Sequence, residues 1–321
     1  SSKKNRKIYK REVQLMDFSE YTLVSFGDSF TFGQDTVPSP SKDNSKNNNN
    51  INKLWKLECN KYSYTQSVAD SMGFKDSLNF GVMGGSNDRS VSLLESFLRS
   101  NPKKKVFVLF NFTSSARFML FPRLDENDEY FKSKGTFYDC VDILPHSHYN
   151  DWMFDGRYTG INTKSVSQQY TYWRNSIQDV YNHVKDRRML YYMLSSYNVP
   201  YVTFDGINDM DYRILRDNPT QYINSDFGEN MLSENEDQYI LRQHDFLQSY
   251  YQELEDKYSL LSHIGIDYLS GASNIFKYIH RLGFSQKNDS DFYAHLSGHW
   301  NIDGHIEVSK LIEKFINERY K

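Results

Sequence analysis

Tyr21-Thr22-Leu23-Val24-Ser25-Phe26-Gly27-Asp28-Ser29-Phe30-Thr31-Phe32-Gly33 decides how the chain folds. Tyr21–Phe26 is a short, β-rich apolar run of the kind that makes a buried strand. Gly27 then permits a sharp turn. Ser29 falls just past the strand, at the C-terminal edge where open α/β sheets place their ligands. A serine on a strand-to-helix turn can present its hydroxyl to a cleft while nearby backbone N–H groups face a developing oxyanion. The bland alternative is that Asp28 and Ser29 merely cap a helix.

Outward from this stretch, short apolar strands alternate with helical patterns. Tyr64–Met72 carries Val68, Ala69 and Met72 on one side, and Gly73 stops it. Ser77–Phe80 leads into the glycine-rich turn Gly81-Val82-Met83-Gly84-Gly85-Ser86-Asn87-Asp88-Arg89. Ser90–Leu98 places Val91, Leu94 and Leu98 at helical spacing. Val106–Phe110 is the clearest buried strand, and Tyr201–Phe204 is another, just after Pro200. Residues 165–196 read as a long helical stretch, and residues 209–285 as mainly polar helix with loops. Ile306–Tyr320 reads as an amphipathic helix, with Ile306, Val308, Leu311, Ile312, Phe315 and Ile316 on one side. This order predicts an α/β fold with three layers, α/β/α, around a mostly parallel sheet of flavodoxin-like type.

The remaining segments are expected to lie outside that sheet. Residues 1–20 are polar and basic and read as a flexible arm, with 21–321 as a single domain. Residues 38–53 are low-complexity and Asn-rich, and read as an exposed loop. Residues 118–163 read as an irregular inserted region near the site.

Composition bounds the function. The chain has 321 residues and a formal charge of −3, so no global field draws nucleic acid or an anionic membrane. The 25 Tyr and 22 Phe supply much of the apolar area available for a core. Cys59 and Cys140 stand far apart, in no zinc-like spacing, and are expected to be reduced thiols. There is no N-terminal apolar segment and no long apolar run. The expectation is a soluble protein, cytoplasmic or virion-associated, with no metal and no organic cofactor. The basic arm (Lys3, Lys4, Arg6, Lys7, Lys10 and Arg11) is expected to be solvated or to meet an acidic or virion partner.

Three motifs carry chemistry in combination. The first is Gly27-Asp28-Ser29 in its strand context. The second is Asn79-Phe80-Gly81-Val82-Met83-Gly84-Gly85. The third, near the C-terminus, is His299-Trp300-Asn301-Ile302-Asp303-Gly304-His305. A neutral imidazole suits removal of a proton from serine near neutral pH. Together, and in this order, they resemble the SGNH/GDSL hydrolase family, and the lysine-, asparagine- and tyrosine-rich composition is similar to phage-encoded members.

The resemblance implies Ser29 as nucleophile and His299 as its general base. It implies the N–H groups of Ser29 and Gly84 as oxyanion donors, Gly85 being a one-residue alternative to Gly84. Asn301 would shape the turn, and Gly304 and His305 would open the last helix. Two departures stand out. The residues two and three before His299 are Ser297 and Leu296, where the family has an aspartate. Asp291 is then the candidate third member of the triad, or else a backbone carbonyl holds the imidazole. The family's central GxND-like motif is replaced by Asn111-Phe112-Thr113-Ser114-Ser115-Ala116-Arg117. Asn111 is the candidate oxyanion donor there, Thr113 its alternative, and Arg117 the candidate to bind a substrate oxygen. His295 and His299 as a metal pair is a weaker reading, since fitting carboxylates are absent.

The implied function is a serine esterase that works through an acyl-enzyme on a small-molecule or glycan ester. O-acetylated carbohydrate is favoured by the aromatics of 118–175, and acyl transfer to an alcohol is an option on the same site. The rival is a catalytically weak or inactive binding or structural protein on the same scaffold, for example a virion component.

Overall fold

Both faces of the first strand, β1 (Thr22–Gly27), are covered, and every residue in it is buried. Side chains alternate along a strand, so Leu23 points to one layer while Val24 and Phe26 point to the other. The same division runs through β3 (Val106–Phe112), where Phe107 and Leu109 take the first side and Val106, Val108, Phe110 and Phe112 the second. Strands apolar on both faces require helices on both faces. The structure, a computed structural model, describes residues 16–38, 49–113, 118–120, 141–145, 152–154, 176–207, 262–265, 268–272, 274–282 and 299–320.

The elements follow in chain order. A 3-10 turn (Phe18–Glu20) precedes β1. Then come α1 (Ser29–Phe32), α2 (Asn49–Lys61), α3 (Tyr64–Met72), β2 (Asp76–Gly81), α4 (Asn87–Ser100) and β3. Three short strands follow, β4 (Phe118–Leu120), β5 (Val141–Pro145) and β6 (Trp152–Phe154). The rest is α5 (Ser176–Ser196), β7 (Tyr201–Asp205), β8 (His263–Ile264), α6 (Ile275–Arg281) and α7 (Ile302–Tyr320).

The main sheet has five strands in the order β2-β1-β3-β7-β8, and every pairing is parallel. Leaving out the three small strands, that is the 2-1-3-4-5 order of flavodoxin-like sheets. One apolar layer joins α3, α6 and α7 to the sheet through Tyr64, Val68, Ile275, Ile279, Val308, Ile312 and Phe315. The opposite layer joins α4 and α5 through Val91, Leu94, Leu98, Leu190 and Leu194. The expected α/β/α architecture is therefore the one observed.

Helix ends follow local chemistry. Ser63 caps α3 by accepting from Gln66 N–H, and Ser86 caps α4 by accepting from Arg89 N–H. In α7 the apolar face is narrower than the sequence pattern suggested: Val308, Leu311, Ile312, Phe315 and Ile316 are buried, but Ile306 is 37% exposed. Its place is taken by Gly304 and His305, which turn inward at the start of the helix.

Four further differences from the sequence reading concern boundaries. Residues 16–20 belong to the folded domain: Phe18 is buried against Phe74 and Phe107, and Met16 N–H donates to the Tyr320 carbonyl. The Asn-rich run does not stay a loop throughout, because α2 begins at Asn49 and is fixed further along by buried Cys59. Of 118–163, the described stretches β4, β5 and β6 form an antiparallel sheet, and the remainder lies outside the described residues. Within 209–285, β8 adds a fifth strand.

Candidate active site

β1 and β2 run in register, with Gly27 opposite Gly81, so the turns that follow them emerge side by side on the C-terminal edge of the sheet. Val82 N–H donates to the Gly27 carbonyl at 3.0 Å and holds the two turns together. Gly27 has φ 156°, and a Cβ there would overlap Thr31 Oγ1 and lie 2.9 Å from Asn111 Cβ. Only glycine fits between the first strand, the turn that carries Ser29 and β3.

Asp28 does cap α1, accepting from Phe30 N–H at 3.1 Å, so half of the bland alternative holds. Its other carboxylate oxygen accepts from Thr113 Oγ1 at 2.7 Å. Asp28 is thereby tied to the end of β3. Ser29 does something else. Its Oγ lies 2.8 Å from His299 Nε2, across 270 residues of sequence. The other ring nitrogen, Nδ1, lies 3.0 Å from Asp35 Oδ2. Phe30 packs on the imidazole with ring centroids 4.9 Å apart, and on Trp300 at 4.6 Å.

The imidazole is delivered by the start of α7. Asn301 Oδ1 accepts from Gly304 N–H at 3.0 Å, and the Asn301 carbonyl accepts from His305 N–H at 3.0 Å. Asn301 therefore caps the helix, where the sequence reading has it shaping the turn. His305 is fully buried, and its Nδ1 accepts from Tyr64 N–H at 3.2 Å. Tyr64 in turn donates from its hydroxyl to Thr31 Oγ1 at 2.8 Å, back in α1. Burial, with the charge of nearby His299, lowers the His305 pKa to about 3, and burial pushes the Tyr64 phenol far up. Both stay neutral at ordinary pH and act as a fixed base under the site.

No family profile matches the chain, and no curated protein matches it. Among solved structures the chain is similar to a protein of Desulfitobacterium hafniense DCB-2 described as lipolytic and of the G-D-S-L family. The TM-score is 0.36 and the identity 9%, over 92% of this chain and 98% of that one. A likeness of that degree carries nothing for chemistry, which stands on the side chains of this molecule.

Around the Ser29–His299 pair, the second turn runs Val82-Met83-Gly84-Gly85. Gly85 N–H donates to the Val82 carbonyl at 2.8 Å, and Gly84 sits at φ 72°. A positive φ at the third position of such a turn calls for glycine. Because the Gly85 N–H closes the turn, Gly84 is the better of the two donor candidates. The Ser29 N–H opens α1, where helix geometry supplies no backbone acceptor. Asn79 braces the arrangement: its Nδ2 donates to the Thr31 carbonyl at 2.6 Å, and its Oδ1 accepts from Gly81 N–H at 2.8 Å.

The candidate donor Asn111 is placed differently from the sequence expectation. Alternation along β3 turns it toward the α3 and α7 layer, beneath the turn that carries Ser29. There its Nδ2 donates to Asp28 Oδ1 at 3.3 Å and Thr31 Oγ1 at 3.1 Å. With both amide hydrogens engaged, it supports the turn rather than facing an oxyanion. Thr113, its alternative, spends its hydroxyl on Asp28 and its N–H on Asn87 Oδ1 at 2.9 Å. Asp291, Arg117 and His295 lie outside the described residues. Asp35, which sequence reasoning passed over, occupies the Nδ1 side of His299. No group of His, Cys, Asp or Glu suited to a metal occurs among the described residues. No described helix is long and apolar enough to cross a membrane.

Proposed function

We propose that the chain is a serine hydrolase that cleaves carboxylic esters through an acyl-enzyme on Ser29. The observation that carries this is the 2.8 Å approach of His299 Nε2 to Ser29 Oγ. That is hydrogen-bond reach for a nucleophile and its base.

In this reading Ser29 Oγ–H passes its proton to Nε2 as Oγ attacks the ester carbonyl carbon. The carbonyl oxygen becomes an oxyanion beside the N–H groups of Ser29 and Gly84. The imidazolium then protonates the departing alcohol oxygen as its bond to the acyl carbon breaks. Water enters, gives a proton to Nε2, and attacks the acyl carbon. The carboxylic acid leaves, and the proton returns to Ser29. The chemistry needs no metal and no redox partner. Small acyl groups on carbohydrate are the favoured substrate class, on the strength of the sequence's aromatic content. An alcohol in place of water would make the same site an acyltransferase.

The test is turnover of p-nitrophenyl acetate by the protein and by Ser29→Ala. Hydrolysis that disappears in the variant supports the reading. Equal, buffer-like rates for both would favour a binding protein built on a hydrolase-like scaffold.

A further inference from the structure

Asp35 stands six residues after Ser29, yet it faces the same imidazole from the opposite side. Its Oδ2 lies 3.0 Å from His299 Nδ1, while Ser29 Oγ lies 2.8 Å from Nε2. One short loop thus holds both ends of the ring. The loop is built rather than incidental. Asp35 has φ 66°, in the left-handed region that side chains rarely adopt. It is followed at once by Thr36, whose N–H and hydroxyl both donate to the Gly33 carbonyl, at 3.2 and 2.8 Å. Helix α2 covers the loop from behind: Gly33 packs on the Cys59 backbone, and Trp55 Nε1 reaches the Val37 carbonyl at 3.5 Å. Strain held in place by surrounding packing, beside a reactive pair, points to use.

We propose that Asp35 is the positioning carboxylate of this site, holding the proton of His299 on Nδ1 so that Nε2 faces Ser29 as an acceptor. The inference rests on the Ser29–His299 reading and deepens it. The acid expected just ahead of the histidine has moved to the nucleophile's own loop. Among the described residues, the C-terminal segment then contributes the imidazole, and the Ser29–Asp35 loop is a preformed clamp for it. Each turnover passes one proton from Oγ to Nε2. The carboxylate takes up no proton and stabilises the imidazolium by its charge.

Asparagine and glycine both tolerate the left-handed backbone, which gives two variants suited to the test. In Asp35→Asn, kcat for p-nitrophenyl acetate is expected to fall about 10²–10⁴-fold, with KM changing far less. The ascending limb of the pH–rate profile should move to lower pH, because an anion beside the ring no longer favours its charged form. Asp35→Gly should lose activity comparably while keeping or raising the melting temperature. A residue needed only for the turn would give the reverse, full activity with glycine. Nitrogen NMR of ¹⁵N-histidine-labelled protein gives a readout independent of turnover. His299 should carry its proton on Nδ1 in the parent, and this preference should weaken or invert in Asp35→Asn.

A parent with Ser29-dependent turnover that survives within twofold in Asp35→Asn overturns the inference and leaves the hydrolase reading intact. So does a loss found with Asp291→Asn but not with Asp35→Asn. A parent without Ser29-dependent turnover overturns the hydrolase reading, and the ring signal still decides for or against Asp35 as the group that orients His299.

Discussion

His305 Nδ1 accepts the backbone N–H of Tyr64 at 3.2 Å, joining the start of the last helix to the start of α3 across 241 residues. The contact fixes where α7 begins, and so where His299 sits. It also fixes the protonation state of His305, since only the neutral ring can accept. Burial, then the charge of His299, lowers its pKa to about 3. His183, buried beside Arg187, is likewise lowered to about 3.

Acid should therefore unfold the protein through these rings. The unfolded chain protonates them near pH 6.5, while the folded chain resists until about pH 3. Their contribution is complete above about pH 6.5 and is lost as the pH falls toward 3, at up to about 1.4 kcal/mol per pH unit for each ring. Urea midpoints measured from pH 7 to 4 should drop steeply. His305→Asn keeps an acceptor near Nδ1 but does not titrate, so it should flatten that dependence. An unchanged slope would show that His305 is not buried as described.

Gly27→Ala should damage the site at its root. The added methyl would overlap Thr31 Oγ1 and crowd Asn111 Cβ at 2.9 Å. Moving either would disturb the network of Asp28, Thr31 and Asn111 under Ser29. The expected cost is about 1–3 kcal/mol in stability, and the proposed ester turnover should be lost even at temperatures where the variant is folded. Chemical denaturation and turnover at low temperature measure the two effects separately.

Asn111 separates two accounts of the oxyanion site. As a buried support for Asp28 and Thr31, Asn111→Ala should lower stability by about 1–3 kcal/mol. Turnover per folded molecule should change modestly. A donor to the oxyanion would instead show about a 10²–10³-fold loss of kcat at nearly unchanged stability. The geometry predicts the first result.

At the end of β7, Arg187 Nη2 meets both Asp205 oxygens at 2.6 Å, and Arg187 Nε donates to His183 Nε2 at 2.7 Å. Burial acts to raise the Asp205 carboxyl, but Arg187, with help from His263, overrides it and holds the group below the usual carboxylate range. Arg187→Leu would strand a buried carboxylate and should cost about 3–5 kcal/mol. Adding Asp205→Leu should restore much of that loss, as double-variant denaturation would show.

What the sequence revealed followed the range of its signals. The strand-turn-serine pattern and the cap-histidine-helix pattern are local, so Ser29, His299 and the helices around them were legible. Asp35 was not, because an aspartate two residues after a glycine, between Gln34 and Thr36, reads as a turn residue. Only the fold brings it to a ring 264 positions away. Asn111 was singled out as a candidate oxyanion donor, but its direction depends on which face of β3 it occupies. The two-residue strand His263–Ile264 carries no period at all, and its pairing with Thr203 and Phe204 is set by the neighbouring strand. Helix α2 was hidden because its first turn lies in an Asn-rich run, and what secures it is Cys59 further along.

The most direct test of the central claim is covalent. Incubation with a fluorophosphonate, followed by peptide mass spectrometry, should place one phosphonyl group on Ser29. Labelling should slow sharply in His299→Ala, because the hydroxyl has lost its base. No adduct at Ser29, or labelling at the same rate without the imidazole, would contradict the account.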